Sequence, residues 1–309
     1  MKNLATNWFG AVMGLAGLGL AWRGAAPLVK QPHAFSEVWV FAAAILLAVL
    51  LPLYLFKVLT DAKAIAEEFT DPARLGYCAT LPLGLTLVAA GLQPYSARGA
   101  NGLWWLGAAL LLAFQAFALA RWLKGGVALE KINGGWMIML VGGIVVPTGG
   151  IPLGNLEMSR LCFGASAALA PFVMALVFYR TVAGPAMPEA QRPAWFVFLV
   201  PPSLIYANGV ALWGPVFSPM LEPLFYLAVL LGVALLMASW TFLVWPFSSL
   251  WWAFTFSLDA LAIASAHFAR GHPTGPWSKI ATAALVVAVL FVLIALYKSL
   301  RAPWSKPAA

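Results

Sequence analysis

Charge is scarce in this sequence. Only 9% of its 309 residues are Asp, Glu, Lys or Arg, with 10 acids against 18 bases and three histidines. A soluble domain carries about 25% charged residues, so this chain cannot clothe a surface for water. Cysteine is nearly absent. Cys78 and Cys162 both fall in apolar runs, which excludes a disulfide framework and a Cys/His metal site and leaves them as packing residues. With His33, His267 and His272 the only imidazoles, no iron or zinc cluster can be assembled. No Asp-rich pair suits a diphosphate with Mg²⁺, and no Ser/His/Asp arrangement lies at membrane depth. The segment "KGGVALEK" lacks P-loop spacing, which argues against ATP-driven pumping. Catalytic residues, cofactor and metal are therefore all expected to be none. The net charge of +8 is spread over short loops instead of gathered into a phosphate-neutralising patch, so nucleic acid is not an expected partner.

What the chain has instead is apolar length. It is 63% hydrophobic, with a mean hydropathy of +0.90. Because roughly 20 residues at 1.5 Å rise cross a 30 Å hydrocarbon core, runs of that size mark membrane spans. Ten emerge, at 8–28, 37–59, 74–92, 101–122, 135–154, 159–180, 194–213, 220–243, 248–269 and 277–299. Backbone groups in lipid must satisfy one another, so the spans are helices. The expected fold is all-α and polytopic, one transmembrane domain over 1–309 with lipid as its solvent. Residues 8–22 follow Lys2 as a signal sequence would, but the apolar run continues past Trp22 and reads as the first span. Trp104, Trp105, Trp122, Trp136, Trp195, Trp251 and Trp252 fall near span ends, as an interfacial belt would.

With the N-terminus cytoplasmic, 12 of the 18 Lys and Arg fall inside, among them Lys2, Lys57, Arg121, Lys298 and Lys306. That bias predicts a multi-pass protein of the cell membrane with both termini cytoplasmic. Arg23, Arg160 and Arg180 lie near span ends, where they can snorkel to the interface.

The odd-numbered spans share a pattern. Pro82, Pro147, and Pro201 with Pro202 stand inside the third, fifth and seventh. Mid-span proline removes a donor and bends the helix, which is tolerated where a cavity or a neighbour re-satisfies the backbone. The first span carries Gly10 and Gly14 instead, and the ninth small polar residues including Ser257. The even spans are plainer. The pattern predicts five helical hairpins whose bent odd members line a central pore while the even members form an outer wall.

Four stretches carry a resemblance: "NWFGAVMGLAGLGLAW", "FTDPARLGYCATLPLGLTLVAAGL", "KGGVALEKINGGW" and "WWAFTFSLDALAIASAHF". Together they resemble the tellurite-resistance/dicarboxylate transporter family, which includes the slow anion channels of plant guard cells. The resemblance implies a homotrimer with a pore in each protomer, and a ninth-helix phenylalanine plugging it. Phe256, not Phe254, matches that position. The family often follows the gate phenylalanine with proline, where this chain has Ser257, and Asp259 replaces a residue that is commonly small or apolar.

An aromatic ring in a narrow apolar tube blocks ions sterically and by dewetting. Asp259, about 60° round the helix from Phe256, either bonds a neighbouring helix, lines and tunes the pore with a proton, or faces a subunit contact. A charged residue at mid-bilayer costs roughly 2.5 to 3.5 kcal/mol on insertion scales. His267 reads as a mouth or packing residue. No Lys or Arg sits mid-span to clamp a dicarboxylate. The expected activity is passage of small inorganic or organic anions, chloride- or nitrate-like, down their gradient. The alternative is a proton-coupled carrier of malate-like C4-dicarboxylates using Asp259.

Overall fold

The computed structural model describes residues 5–30 and 34–301, with every side chain among them except that of Leu243. Lys2, His33 and Lys306 lie outside the described residues. Among those described, nine helices are long and apolar enough to cross a bilayer. They are span 1 (Thr6–Val29), span 2 (Ala34–Thr60), span 3 (Pro72–Leu92), span 4 (Ala97–Trp122), span 6 (Leu156–Ala183), span 7 (Glu189–Trp213), span 8 (Pro215–Ala238), span 9 (Ser249–Gly271) and span 10 (Trp277–Arg301). Span 5, Gly134–Gly150, is the tenth and is shorter.

Two spans end short of the sequence reading. Span 5 was expected over 135–154, but it divides into Gly134–Val141, a 3-10 stretch Gly142–Val145 and Pro147–Gly150. Span 8 was expected to reach 243, yet the helix ends at Ala238. There the Ser239 hydroxyl turns back onto the Leu235 carbonyl at 2.5 Å, and Pro246 lies too close downstream for the helix to resume.

Tightened turns precede the prolines of odd spans 3, 5 and 7. A proline supplies no N–H to the carbonyl four residues back, and where the helix tightens, the turn before it closes by shorter i to i+3 bonds. Thus 3-10 stretches at Gly76–Ala79, Gly142–Val145 and Glu189–Leu199 immediately precede the segments that hold Pro82, Pro147, and Pro201 with Pro202. Pro52 and Pro171 sit in unbroken α-helices of spans 2 and 6.

Consecutive spans pack as hairpins, 1 with 2, 3 with 4, 5 with 6, 7 with 8 and 9 with 10. The odd spans close a ring in the order 1, 3, 5, 7, 9 and back to 1. Burial separates the layers: in odd spans 1, 3, 7 and 9, 56% to 89% of the apolar window is buried, against 17% to 33% in the even spans. Span 5 is buried throughout except at Ile138 and Thr148. Odd spans are the core and even spans the wall.

The wall also holds the broken span together. Gln115 of span 4 donates to the Met139 and Leu140 carbonyls at 3.0 and 3.3 Å and to Ser166 of span 6 at 2.9 Å. Ser166 accepts from the Gly143 N–H at 3.1 Å. Trp104 donates to the Val146 carbonyl at 3.0 Å, and Asn208 of span 7 to the Ile144 carbonyl at 2.7 Å. Each is worth about 1 kcal/mol net, and more if lost, because the freed carbonyl is buried.

Several polar expectations are corrected by burial. Trp104, Trp136, Trp251 and Trp252 are core residues, not lipid-facing belt, because they lie on odd spans or face them. Arg180 does not snorkel: it is 4% exposed and donates to the Pro185 carbonyl at 2.8 Å, since the chain after span 6 folds back over it. The stretch between spans 2 and 3 contains a helix, Ala62–Thr70, capped by Asp61. Its Glu68 enters the bundle and meets Lys57 at 2.6 Å, Thr6 Oγ1 at 2.5 Å and Tyr54 OH at 3.0 Å. All four are buried.

Candidate functional site

Inside the ring lies a narrow vestibule with a cavity volume of about 40 Å³, and every residue lining it belongs to an odd span. Span 1 contributes Asn7, Gly10 and Met13; span 3 contributes Tyr77, Thr80 and Leu83. Val141 and Val145 come from span 5, Val200 and Pro201 from span 7. Span 9 supplies Ser249, Trp252, Phe256 and Ser257, among others. No lining residue is charged. All of them fall in the N-terminal part of their span or at its breaks, so the vestibule faces the side on which the odd spans begin.

That rim is tied together by side chains that cap the span starts. Thr80 donates to the Thr6 carbonyl at 2.8 Å, linking spans 1 and 3. Asn133 and Trp136 donate to the Ala73 and Pro72 carbonyls at 3.0 and 3.1 Å, linking 3 and 5. Ser248 donates to the Ala190 carbonyl at 2.8 Å, linking 7 and 9.

Phe256 and Ser257 are the deepest residues that span 9 adds to the vestibule. Phe256 is 6% exposed. Phe254, two residues earlier, points the other way into an aromatic cluster. Its ring lies 4.5 Å from Phe196, 5.4 Å from Phe291 and 5.5 Å from Trp251. The period of the helix thus gives the two phenylalanines different environments.

Span 9 packs directly on span 1 through small residues. A methyl on Gly14 would lie 2.0 Å from Thr255 Oγ1, and one on Gly17 would meet Asp259 Oδ2 at 2.8 Å and Phe256 Cδ2 at 3.0 Å. Only glycine permits this approach. Asp259 faces Gly17 and is not among the vestibule residues. It is fully buried, and neither carboxyl oxygen has a hydrogen-bond partner among the described residues. Its contact with the neighbouring helix is packing.

The sequence profile of SLAC1, described as voltage-dependent anion channel, matches residues 3–300. The chain belongs to this family. Relatives in the SLAC1 family include the guard cell S-type anion channel SLAC1 of Arabidopsis thaliana, 22% identical over 92% of this chain and 54% of its own length. The S-type anion channel SLAH3 of the same plant is 22% identical over 84% of this chain and 42% of its own. A tellurite resistance protein TehA homolog of Haemophilus influenzae is 27% identical over 41% of this chain and 39% of its own. The chain spans about half the length of the plant relatives it matches.

Of the positions singled out from sequence, Gly10, Pro201, Phe256 and Ser257 line the vestibule of this SLAC1-family chain. Gly14 faces Trp252 and Thr255 behind it. Pro82, Pro147 and Pro202 shape the helices without lining the space. His267 is on span 9 about three turns beyond Phe256, its ring edge-on to Tyr206 at 5.9 Å. Sequence reasoning missed Gly17, although Gly10, Gly14 and Gly17 form one helical stripe. It also missed Met13, Leu83 and Val145, which nothing in an apolar run sets apart from other core residues.

Proposed function

We propose that the protein is an anion channel, or channel-like transporter, that passes small monovalent anions down their gradient, with the Phe256 ring as the occlusion. The observation that carries this reading is the position of Phe256: a bulky ring deep in an uncharged vestibule lined only by odd spans. An ion that meets it must shed water against apolar walls, a barrier that falls only when the ring turns aside. Trp252 and Ala260 flank Phe256 one turn either way, so the ring has room to move toward the smaller neighbour.

Anion preference finds support in helix direction. All five odd spans begin on the vestibule side, and a helix start carries the positive end of its backbone dipole. The basic loops add to this at longer range. With no Lys or Arg lining the vestibule, nothing grips the ion, and weak binding is what rapid passage needs. The proton-coupled dicarboxylate alternative would centre on Asp259, but that carboxyl faces Gly17, and no guanidinium lines the vestibule to hold a substrate carboxylate.

The ring of odd spans closes within one chain, which supports one pore per protomer in the homotrimer that the resemblance implies. The even spans present large exposed apolar side chains such as Ile45, Phe172 and Leu230, suited to lipid or to neighbouring copies. The charge bias supports a vestibule on the cytoplasmic side, together with both termini.

Planar-bilayer recordings of purified protein test the reading. Phe256→Ala is expected to raise the current at least tenfold over the wild type, with chloride and nitrate carried in preference to malate. Silence from both proteins, together with saturable malate uptake that moves protons, would overturn it.

A further inference from the structure

A second hollow lies on the outer surface, at the end of the bundle opposite the vestibule. It is a groove of about 540 Å³ between the end of span 1, the start of span 2 and the first half of span 10, with Trp22, Val29, Phe35, Val286 and Leu290 in its walls. Its one polar lining residue is Thr282, whose hydroxyl is taken up by the Ser278 carbonyl at 2.9 Å. Phe35, Val286 and Leu290 are each about half exposed, so the groove opens outward and not into the core. From Thr282 to Leu290 is about 12 Å of helix, close to the hydrocarbon depth of one leaflet, half of about 30 Å. Span 1 ends where span 10 begins, which puts Val29 and Thr282 at the mouth and Trp22 and Leu290 deeper. That mouth is basic. Lys30 follows Val29, and Lys279 stands one turn before Thr282 on the same face of span 10. Both lysines are exposed, and neither meets an acid among the described residues. Arg23 adds no net charge, because it donates twice to Glu37, at 3.0 and 2.8 Å.

We propose that this groove is a binding site for an anionic phospholipid, with one acyl chain lying between spans 1 and 10 and the headgroup held at Lys30 and Lys279. The hydrocarbon alone does not select the lipid, since a chain that leaves the bilayer for the groove exchanges one apolar surface for another. Selection comes from the headgroup. Each lysine at the membrane surface is worth about a fivefold preference for an anionic lipid, and the two act together. The groove fixes where that lipid sits. A second copy of the chain packed there through the same face would set these lysines against their own counterparts, whereas an anionic headgroup neutralises them. The site stands whether or not the pore conducts.

To test this, the full chain is purified, delipidated in detergent and titrated with single lipids, and the bound molecules are counted by native mass spectrometry. Dioleoylphosphatidylglycerol is expected to saturate a site on each chain roughly tenfold or more tightly than dioleoylphosphatidylcholine, which carries the same acyl chains. Glycerol 3-phosphate, the headgroup without a chain, is expected not to bind. Lys30→Gln with Lys279→Gln is expected to remove the preference. Arg98→Gln with Arg270→Gln, the same loss of charge at the same end of the bundle, is expected to leave it within about twofold. Filling the groove with Val286→Trp, or with Leu290→Trp should that variant misfold, is expected to abolish the saturable site. Equal affinity for the two lipids, a preference that survives in the lysine variant, or a saturable site that survives the filled groove would overturn the proposal. So would a Val286→Cys variant that forms a disulfide with another copy in phosphatidylglycerol nanodiscs, because the groove would then be a contact between chains.

Discussion

Gly17 of span 1 touches the two residues of span 9 that matter most. A methyl there would come within 3.0 Å of both the Phe256 ring and the Asp259 carboxyl. Gly17→Ala therefore forces one of them aside. Overpacking of this kind costs about 1 to 3 kcal/mol. A lower thermal midpoint is expected together with an altered single-channel current, because the crowded groups include the ring proposed as the occlusion. Loss of stability with wild-type current would mean that Asp259 alone gives way.

The two neighbouring phenylalanines separate gating from packing. Phe254→Ala empties a site among Phe196, Trp251 and Phe291, and such a deletion costs about 3 to 5 kcal/mol. Thermal unfolding in detergent should register that loss, with a current no larger than wild type in the protein that remains folded. Phe256→Ala should do the reverse. If both variants raise current equally, the ring at 256 has no special role.

Lys57 and Glu68 form a buried pair that Thr6 and Tyr54 complete. Removing one partner leaves the other charged and buried, at about 3 to 5 kcal/mol. Lys57→Met or Glu68→Leu alone should sharply lower the thermal midpoint, while the double variant should recover much of the loss. A double variant as unstable as the sum of the singles would show that the charges do not depend on each other.

Asp259→Asn replaces a carboxyl that has no partner with a group of the same shape. No loss of stability is expected, and anion flux should stay within about twofold of wild type at pH 5.5 and pH 8. A pH dependence present in the wild type and absent from the variant would restore the proton-coupled reading.

Much of this architecture was legible in the residues. Apolar runs of bilayer length gave the ten spans, but proline alone did not separate core from wall, since Pro52, Pro171 and Pro223 stand inside even spans 2, 6 and 8. Phe256 needed the resemblance, since an isolated phenylalanine in an apolar helix looks like any other. The polar ties were harder. Gln115, Ser166 and Asn208 are far apart in sequence and converge on the broken span 5, and no local pattern announces that Glu68 folds back onto Thr6. Burial of tryptophan was misjudged because position along a span says nothing about which side of the helix a ring occupies.

One consequence follows from the common direction of the five core helices. In most helical bundles neighbours alternate and their fields cancel. Here every helix of the inner ring runs the same way, and the returning helices are held at the periphery. The inner ring is therefore electrically one-ended, with a start and a finish that an ion would tell apart. In the proposed channel, unequal conduction in the two directions is expected even with identical solutions on both sides, and the sign of that inequality would report its orientation in the bilayer.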